Sequence, residues 1–197
     1  LAPHIPLYAN LGAVQLNYGY SVDQCRHAVD VLQADALILH LNPLQEALQV
    51  NGQTDFGDLL TKIEKVCQSL EIPVIIKEVG WGISSEIAWH LVEAGASAID
   101  VAGAGGTSWS EVEKHRSTSE SNFRIAEYFR DWGIPTAYAI DAINRRMPEV
   151  PLISSGGLKS GVDLAKSIAL GASIGGFAGY LLKAATESVD AVVSLLD

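Results

Sequence analysis

Short apolar runs alternate along the whole chain with stretches of helical apolar spacing, and a polar or glycine-rich turn separates each pair. Apolar runs of this length predict strands covered on both faces, because such strands have no polar side to show to water. They fall at Leu7 to Ala13, Ala36 to His40, Val74 to Val79, Ala98 to Ala102, Leu152 to Ser155 and Ser173 to Ala178, six in all. Between them Ser21-Val22-Asp23-Gln24 predicts a capping box, and Gly95, Gly133 and Gly171 predict helix C-terminal glycines. Ile87, Leu91 and Val92 in one helix, and Leu164, Ile168 and Ala169 in another, predict faces that pack on the sheet. The polar stretch Lys114 to Asn122 predicts a mobile surface loop.

Strand and helix in alternation predict an α/β fold with a parallel sheet. Two architectures fit: a (β/α)8 TIM barrel with about six of its eight strands represented, or an open doubly wound sheet, which needs no further strands. A closed barrel takes eight strands and ~250 residues. On the barrel reading two strands are therefore lacking. The chain enters its first strand almost at once from Leu1-Ala2-Pro3, with no initiator Met, so it is expected to be part of a longer protein lacking the N-terminal strands. With no linker or low-complexity tract, residues 1–197 are expected to form one domain.

Composition narrows the partners. The chain has 197 residues, is 48% hydrophobic and carries a formal net charge of -10, with a pI near 4.8. So acidic a chain has little to neutralise a nucleic acid backbone or an anionic membrane, and neither is expected as a partner. No apolar run reaches the ~20 residues of a membrane span. Cys25 and Cys67 lie in amphipathic stretches without C-x-x-C spacing and are expected as free thiols, which suits a reducing cytoplasm.

Candidate chemistry collects at the predicted strand ends. After Ala36-Leu37-Ile38-Leu39 comes His40-Leu41-Asn42-Pro43-Leu44-Gln45-Glu46. Strand alternation predicts His40 and Asn42 on one side, with Pro43 ending the strand and opening a loop. An imidazole and two amides suit phosphate or carbonyl oxygens, and the carboxylate of Glu46 suits a hard cation such as Mg2+. Lys77 ends another strand and could stabilise negative charge on a bound ring system, or simply pair with Glu78. Three glycine-rich turns follow strands: Gly103-Ala104-Gly105-Gly106-Thr107-Ser108, Ser154-Ser155-Gly156-Gly157-Leu158-Lys159-Ser160-Gly161 and Gly175-Gly176-Phe177-Ala178-Gly179. Glycine lets backbone N–H groups approach an anion, so together the turns predict a phosphate site. The spacing matches neither a Walker A loop nor a dinucleotide fingerprint.

Read in order, ANLGAVQL, HLNPLQE, VIIKEVGWGIS, IDVAGAGGTSW and SSGGLKSGVDLAKSIALGA resemble type 2 isopentenyl diphosphate isomerase over nearly the whole chain. The resemblance implies an FMN-dependent (β/α)8 barrel that interconverts isopentenyl diphosphate and dimethylallyl diphosphate with Mg2+, its flavin reduced by NADPH. It implies a homo-oligomer. It also implies that Asn10, Lys77 and Thr107 contact FMN, with Gly156, Gly157, Lys159, Ala178 and Gly179 around its phosphate. Gln45 would meet the reacting end of the substrate as the catalytic residue, and Glu46 would hold Mg2+. His40 and Asn42 would bind diphosphate oxygens, and Trp109 would shape the apolar wall. Ala102 stands where the family usually has Ser, which removes one hydroxyl contact to the flavin. Alternatives are an FMN-dependent oxidoreductase of a small organic acid, and a non-catalytic flavin- or phosphate-binding module.

Overall fold

A computed structural model of the chain describes residues 4–196; Leu1–Pro3, on which the reading of the chain start rests, and Asp197 lie outside the described residues. The strands are β1 (Tyr8–Gly12), β2 (Ala36–His40), β3 (Val74–Lys77), β4 (Ala98–Asp100), β5 (Leu152–Ser154) and β6 (Ile174–Gly175). They form one all-parallel sheet in sequence order. A doubly wound sheet reverses its order at a switch point. None occurs here, so the six strands are consecutive units of a (β/α)8 barrel, as expected.

The helices are α1 (Val22–Leu32), α2 (Pro43–Leu48), α3 (Leu59–Ser69), α4 (Ser85–Glu93), α5 (Trp109–Arg116), α6 (Glu120–Tyr128), α7 (Thr136–Arg146), α8 (Gly161–Ala169), α9 (Gly179–Glu187) and α10 (Val189–Leu196). The predicted capping box starts α1: Ser21 Oγ accepts from the Asp23 N–H, and Gln24 Oε1 accepts from the Ser21 N–H. Both cysteines are free thiols, Cys25 buried and Cys67 half-buried. One core runs beneath the sheet, with Leu37, Leu39, Ile76, Ile99 and Leu152 from the strands packed on Ile63 and Val66 of α3 and Ile140 and Ile143 of α7. The outer edges of β1 and β6 pair with no other strand among the described residues. Apolar side chains stand exposed beside both, Leu7, Tyr8 and Val31 on one flank and Val162, Ile174 and Leu182 on the other.

Five local expectations change. Pro43 opens helix α2 at its first turn instead of a loop, a position where its missing N–H costs nothing. The stretch from Lys114 to Asn122 is not a loop but the end of α5, a short link and the start of α6. Lys114 is buried there, because its ammonium meets Glu111 at 3.1 Å and also Glu127, and sits 5.0 Å from the centre of the Phe123 ring. Gly95 and Gly171 do follow helix ends, but Gly133 lies beyond the end of α6 in a link pressed against Trp81. Ile87 and Ile168 are exposed, so Leu91 and Ser167, not they, mark the inward faces of α4 and α8. Strand β6 is also shorter than the run Ser173 to Ala178, because the chain turns at Phe177 into α9.

Ile99 is fully buried and Ile168 is 45% exposed. In urea unfolding, Ile99→Ala is expected to lower stability by about 2–5 kcal/mol, as for other large-to-small core changes. Ile168→Ala is expected to stay within about 0.5 kcal/mol.

Candidate active site

Because the strands are parallel and in register, their C-terminal ends lie at one rim, the C-terminal face of the barrel. Gly12, His40, Lys77 and Asp100 form a single row across β1 to β4. A cavity of about 840 Å³ opens over this face, within the usual size of small-molecule sites. Its walls include Asn10, His40, Gln45, Lys77, Thr107, Trp109, Gly156, Gly157, Lys159, Ala178 and Gly179, eleven of the thirteen residues singled out in the sequence.

Asn42 and Glu46 are not in these walls. Asn42 lies two residues past the end of β2, at the N-cap of α2, where strand alternation no longer sets its direction. Its Nδ2 donates to Gln45 Oε1 at 3.3 Å and to Glu46 Oε1 at 2.9 Å, while its buried Oδ1 has no partner. Glu46 Oε2 accepts from the Gln53 N–H at 2.7 Å. Gln45 Nε2 donates at 3.3 Å to Oε1 of Glu113, a buried carboxylate on α5 that also takes Gln49 and Arg116. One chain of hydrogen bonds thus links α2 to α5 and fixes which way the Gln45 amide faces.

Lys77 is not paired with the Glu78 carboxylate; its Nζ donates to the Glu78 backbone carbonyl instead. The Glu78 carboxylate is occupied by the turn after β3, where Oε2 accepts from the N–H groups of Val79, Gly80 and Trp81. Burial pushes the Glu78 carboxyl above the usual range, and those three donors together with Lys77 pull it back. His40 Nδ1 lies 2.9 Å from Asn10 Oδ1, an acceptor, so Nδ1 carries the proton and the lone pair falls on Nε2. Burial lowers the His40 pKa, and the Lys77 cation lowers it further, against a smaller upward pull from Glu46.

The glycine turns interlock at the other end of the cavity. A Cβ on Gly156 would stand 2.1 Å from the Gly103 carbonyl oxygen, and one on Gly157 would stand 2.4 Å from that of Gly105. Gly156 and Gly157 also have φ of +101° and +89°, which side-chain-bearing residues rarely adopt. Thr136 at the start of α7 fastens this pair, its Oγ1 donating to the Gly156 carbonyl at 2.6 Å. Among the described residues, the N–H groups of Gly157, Phe177, Ala178 and Gly179 find no acceptor, and Ala178 cannot cap α9 with its side chain. Free donors in the cavity wall at the start of a helix suit a phosphate group.

The Mg2+ question turns on Glu46. No cluster of three or more His, Cys, Asp or Glu able to hold a metal occurs among the described residues. A single half-buried carboxylate fits Mg2+ only where substrate phosphates and water supply the other ligands, which is how Mg2+ commonly binds.

Sequence reasoning missed several wall residues, Asp100, Ser155 and Phe177 among them, and it missed Glu113 behind Gln45. Asp100 was readable as the one charged residue inside the apolar run Ala98 to Ala102; Glu113 gave no local signal.

Polar groups at the strand ends and glycine turns with free N–H groups make this an α/β barrel whose cavity suits a phosphate-bearing ligand. The sequence profile described as FMN-dependent dehydrogenase matches residues 22–196, and the chain belongs to that family. Curated relatives include a protein of Oceanobacillus iheyensis and one of Nostoc, each 52% identical over 196 residues, or 100% of this chain. Another, from Stutzerimonas stutzeri, is 55% identical over 194 residues, 98% of this chain. All three are named isopentenyl-diphosphate delta-isomerase, and the chain spans 56% of the length of each.

The His40 ring is expected to titrate below its ordinary 6.5 when followed by NMR. Lys77→Gln is expected to raise that midpoint without restoring it, since burial remains. As pH falls below about 6.5 the unfolded ring takes a proton first, so the neutral His40 destabilises the fold progressively until the folded ring also titrates.

Proposed function

We propose that the protein carrying this chain is an FMN- and Mg2+-dependent isomerase that interconverts isopentenyl and dimethylallyl diphosphate in isoprenoid biosynthesis, with NADPH as the reductant of its flavin. The observation that carries this reading is a single cavity with free backbone donors at one end and His40, Gln45 and Lys77 at the other. The names of its relatives support it. On this reading the protein is a cytoplasmic homo-oligomer.

The N–H groups of Gly156, Gly157, Ala178 and Gly179, with Lys159, hold the FMN phosphate. Asn10, Lys77 and Thr107 contact the rest of the flavin. Reduced FMN supplies, when bound, a ring that exchanges protons and an electron-rich face beside which cationic charge is stabilised. His40, its Nδ1–H taken by Asn10, would bind a diphosphate oxygen through Nε2 once that atom carries a proton, Asn42 would do so once its amide is released from Gln45 and Glu46, and Glu46 would hold Mg2+. Trp109, half-buried at the start of α5, forms the apolar wall for the prenyl tail. Gln45 faces the reacting carbons. Held between an acceptor on Glu113 and a donor on Asn42, its amide keeps one orientation and places or relays a proton at a fixed point.

An oxidoreductase acting on an organic acid would need arginines facing the flavin. Arg116, Arg124 and Arg145 lie on α5, α6 and α7 with side chains 66%, 69% and 78% exposed, outside the cavity walls.

The test is to purify the full-length protein, record its flavin spectrum, reduce it and add isopentenyl diphosphate. Isomer formation without net consumption of reductant is the expected result. Stoichiometric oxidation would select the oxidoreductase, and flavin colour with neither outcome would select a binding module. Gln45→Asn is expected to lower kcat by about 10²-fold, the lower end for a positioned proton-transfer group; full turnover would remove Gln45 from that role. Glu46→Gln is expected to raise the Mg2+ concentration for half-maximal activity at least about tenfold, since even partners of metal ligands commonly contribute that much. An unchanged titration would rule out Glu46 as the ligand.

A further inference from the structure

Asp100 closes β4 in register with Lys77 on β3, which is in register with His40 on β2, and all three line the cavity. Asn10 on β1 bonds His40 at one end of this row. At the other end Asp100 Oδ1 accepts from the hydroxyl of Ser155, just past β5, at 2.6 Å, and from the Ala102 N–H at 3.2 Å. A polar line therefore crosses the floor from β1 to the turn after β5, with Lys77 in the middle.

The ammonium of Lys77 enters no ion pair among the described residues. The titratable groups around it are His40, Glu78 and Asp100. The Glu78 carboxylate is turned onto three backbone donors, which leaves Asp100 as the carboxylate of this group that lines the cavity. Asp100 is only 7% exposed. Burying a charge is costly, and fastening Ser155 and Ala102 requires only an acceptor, which an asparagine amide would provide. A carboxylate at this point calls for a reason beyond holding the turn. Burial pushes its pKa up, while the Ser155 hydroxyl, the Lys77 cation and the Ala102 N–H favour the charged form.

We propose that Asp100 is the counter-charge to Lys77 and, acting through it as a positioning residue, sets how strongly the cavity favours reduced over oxidised flavin. The proposal rests on the FMN reading above. Reduction to the anionic form adds two electrons and one proton, leaving one extra negative charge on the ring system. Lys77 stabilises that charge, and Asp100 limits the stabilisation.

The experiment is a redox titration of the full-length FMN-loaded protein and its Asp100→Asn variant against a reference dye. Asparagine keeps the acceptor for Ser155 and Ala102, so a purely structural role leaves the midpoint where it was. The expected result is a shift of the equilibrium about tenfold toward reduced flavin, about 30 mV for a two-electron couple. An unchanged midpoint or a shift the other way overturns the proposal. Where the variant binds FMN too weakly to titrate, the ratio of its dissociation constants for oxidised and reduced FMN closes the same cycle and must show the same tenfold change. Asp100→Glu, which keeps the charge, is expected to stay within about twofold of the unsubstituted protein; a shift as large as that of the Asn variant also overturns the assignment. Failure of the unsubstituted protein to take up FMN overturns the cofactor reading and this one together. An equal midpoint in two flavin-bearing proteins overturns only the role of Asp100.

Discussion

Everything at the site depends on the register of one parallel ladder. Parallel strands joined by helical crossovers all run the same way, so their final residues meet at one rim. Here the match is residue for residue: His40, Lys77 and Asp100 stand side by side although 37 and 23 positions separate them along the chain. A slip of one residue in any pair would turn the polar member of that strand toward the helices and an apolar neighbour into the cavity. Leu39, Ile76 and Ile99, each fully buried one residue earlier, are what hold the register against such a slip.

The helices α2 and α5 do for the rim what the ladder does for the floor. They come from distant parts of the chain and meet through side-chain amides on Oε1 of Glu113, which Arg116 also meets at 3.3 Å. Lys114, the next residue, binds α5 to α6. Adjacent residues of opposite charge thus face two different neighbours, and α5 is fixed about its own axis. Trp109 and Gln45 owe their places in the wall to that fixation.

The strand ends were legible because chemistry concentrates there over one or two residues after an apolar run, as in the change from Leu39 to His40 or from Ile76 to Lys77. The glycine turns were legible because positive φ admits few other residues. What escaped was set by distant partners. The hydroxyl that meets Asp100 comes from 55 residues later, and the amide that meets Glu113 from 68 residues earlier. KHRSTSESN reads as solvent-loving because its composition is polar, yet Lys114 is buried by a carboxylate 13 positions on. Pro43 ends a strand and begins a helix with equal facility, and the sequence around it does not separate the two.

The contact between the turns after β4 and β5 also bears on how such a site can diverge. Gly156 rests on Gly103 and Gly157 on Gly105, backbone against backbone, with no flexible side chain to yield. A mutation that adds a methyl group to one turn cannot be accommodated by repacking and must wait for a simultaneous retreat of the other, a double event that random drift rarely supplies. The glycine-turn end of the cavity is therefore frozen as a unit. Variation in what the cavity accepts has to enter through α2 and α5, whose amides and aromatic ring can be exchanged one at a time. A barrel of this design keeps one end of its cavity constant while the other end changes.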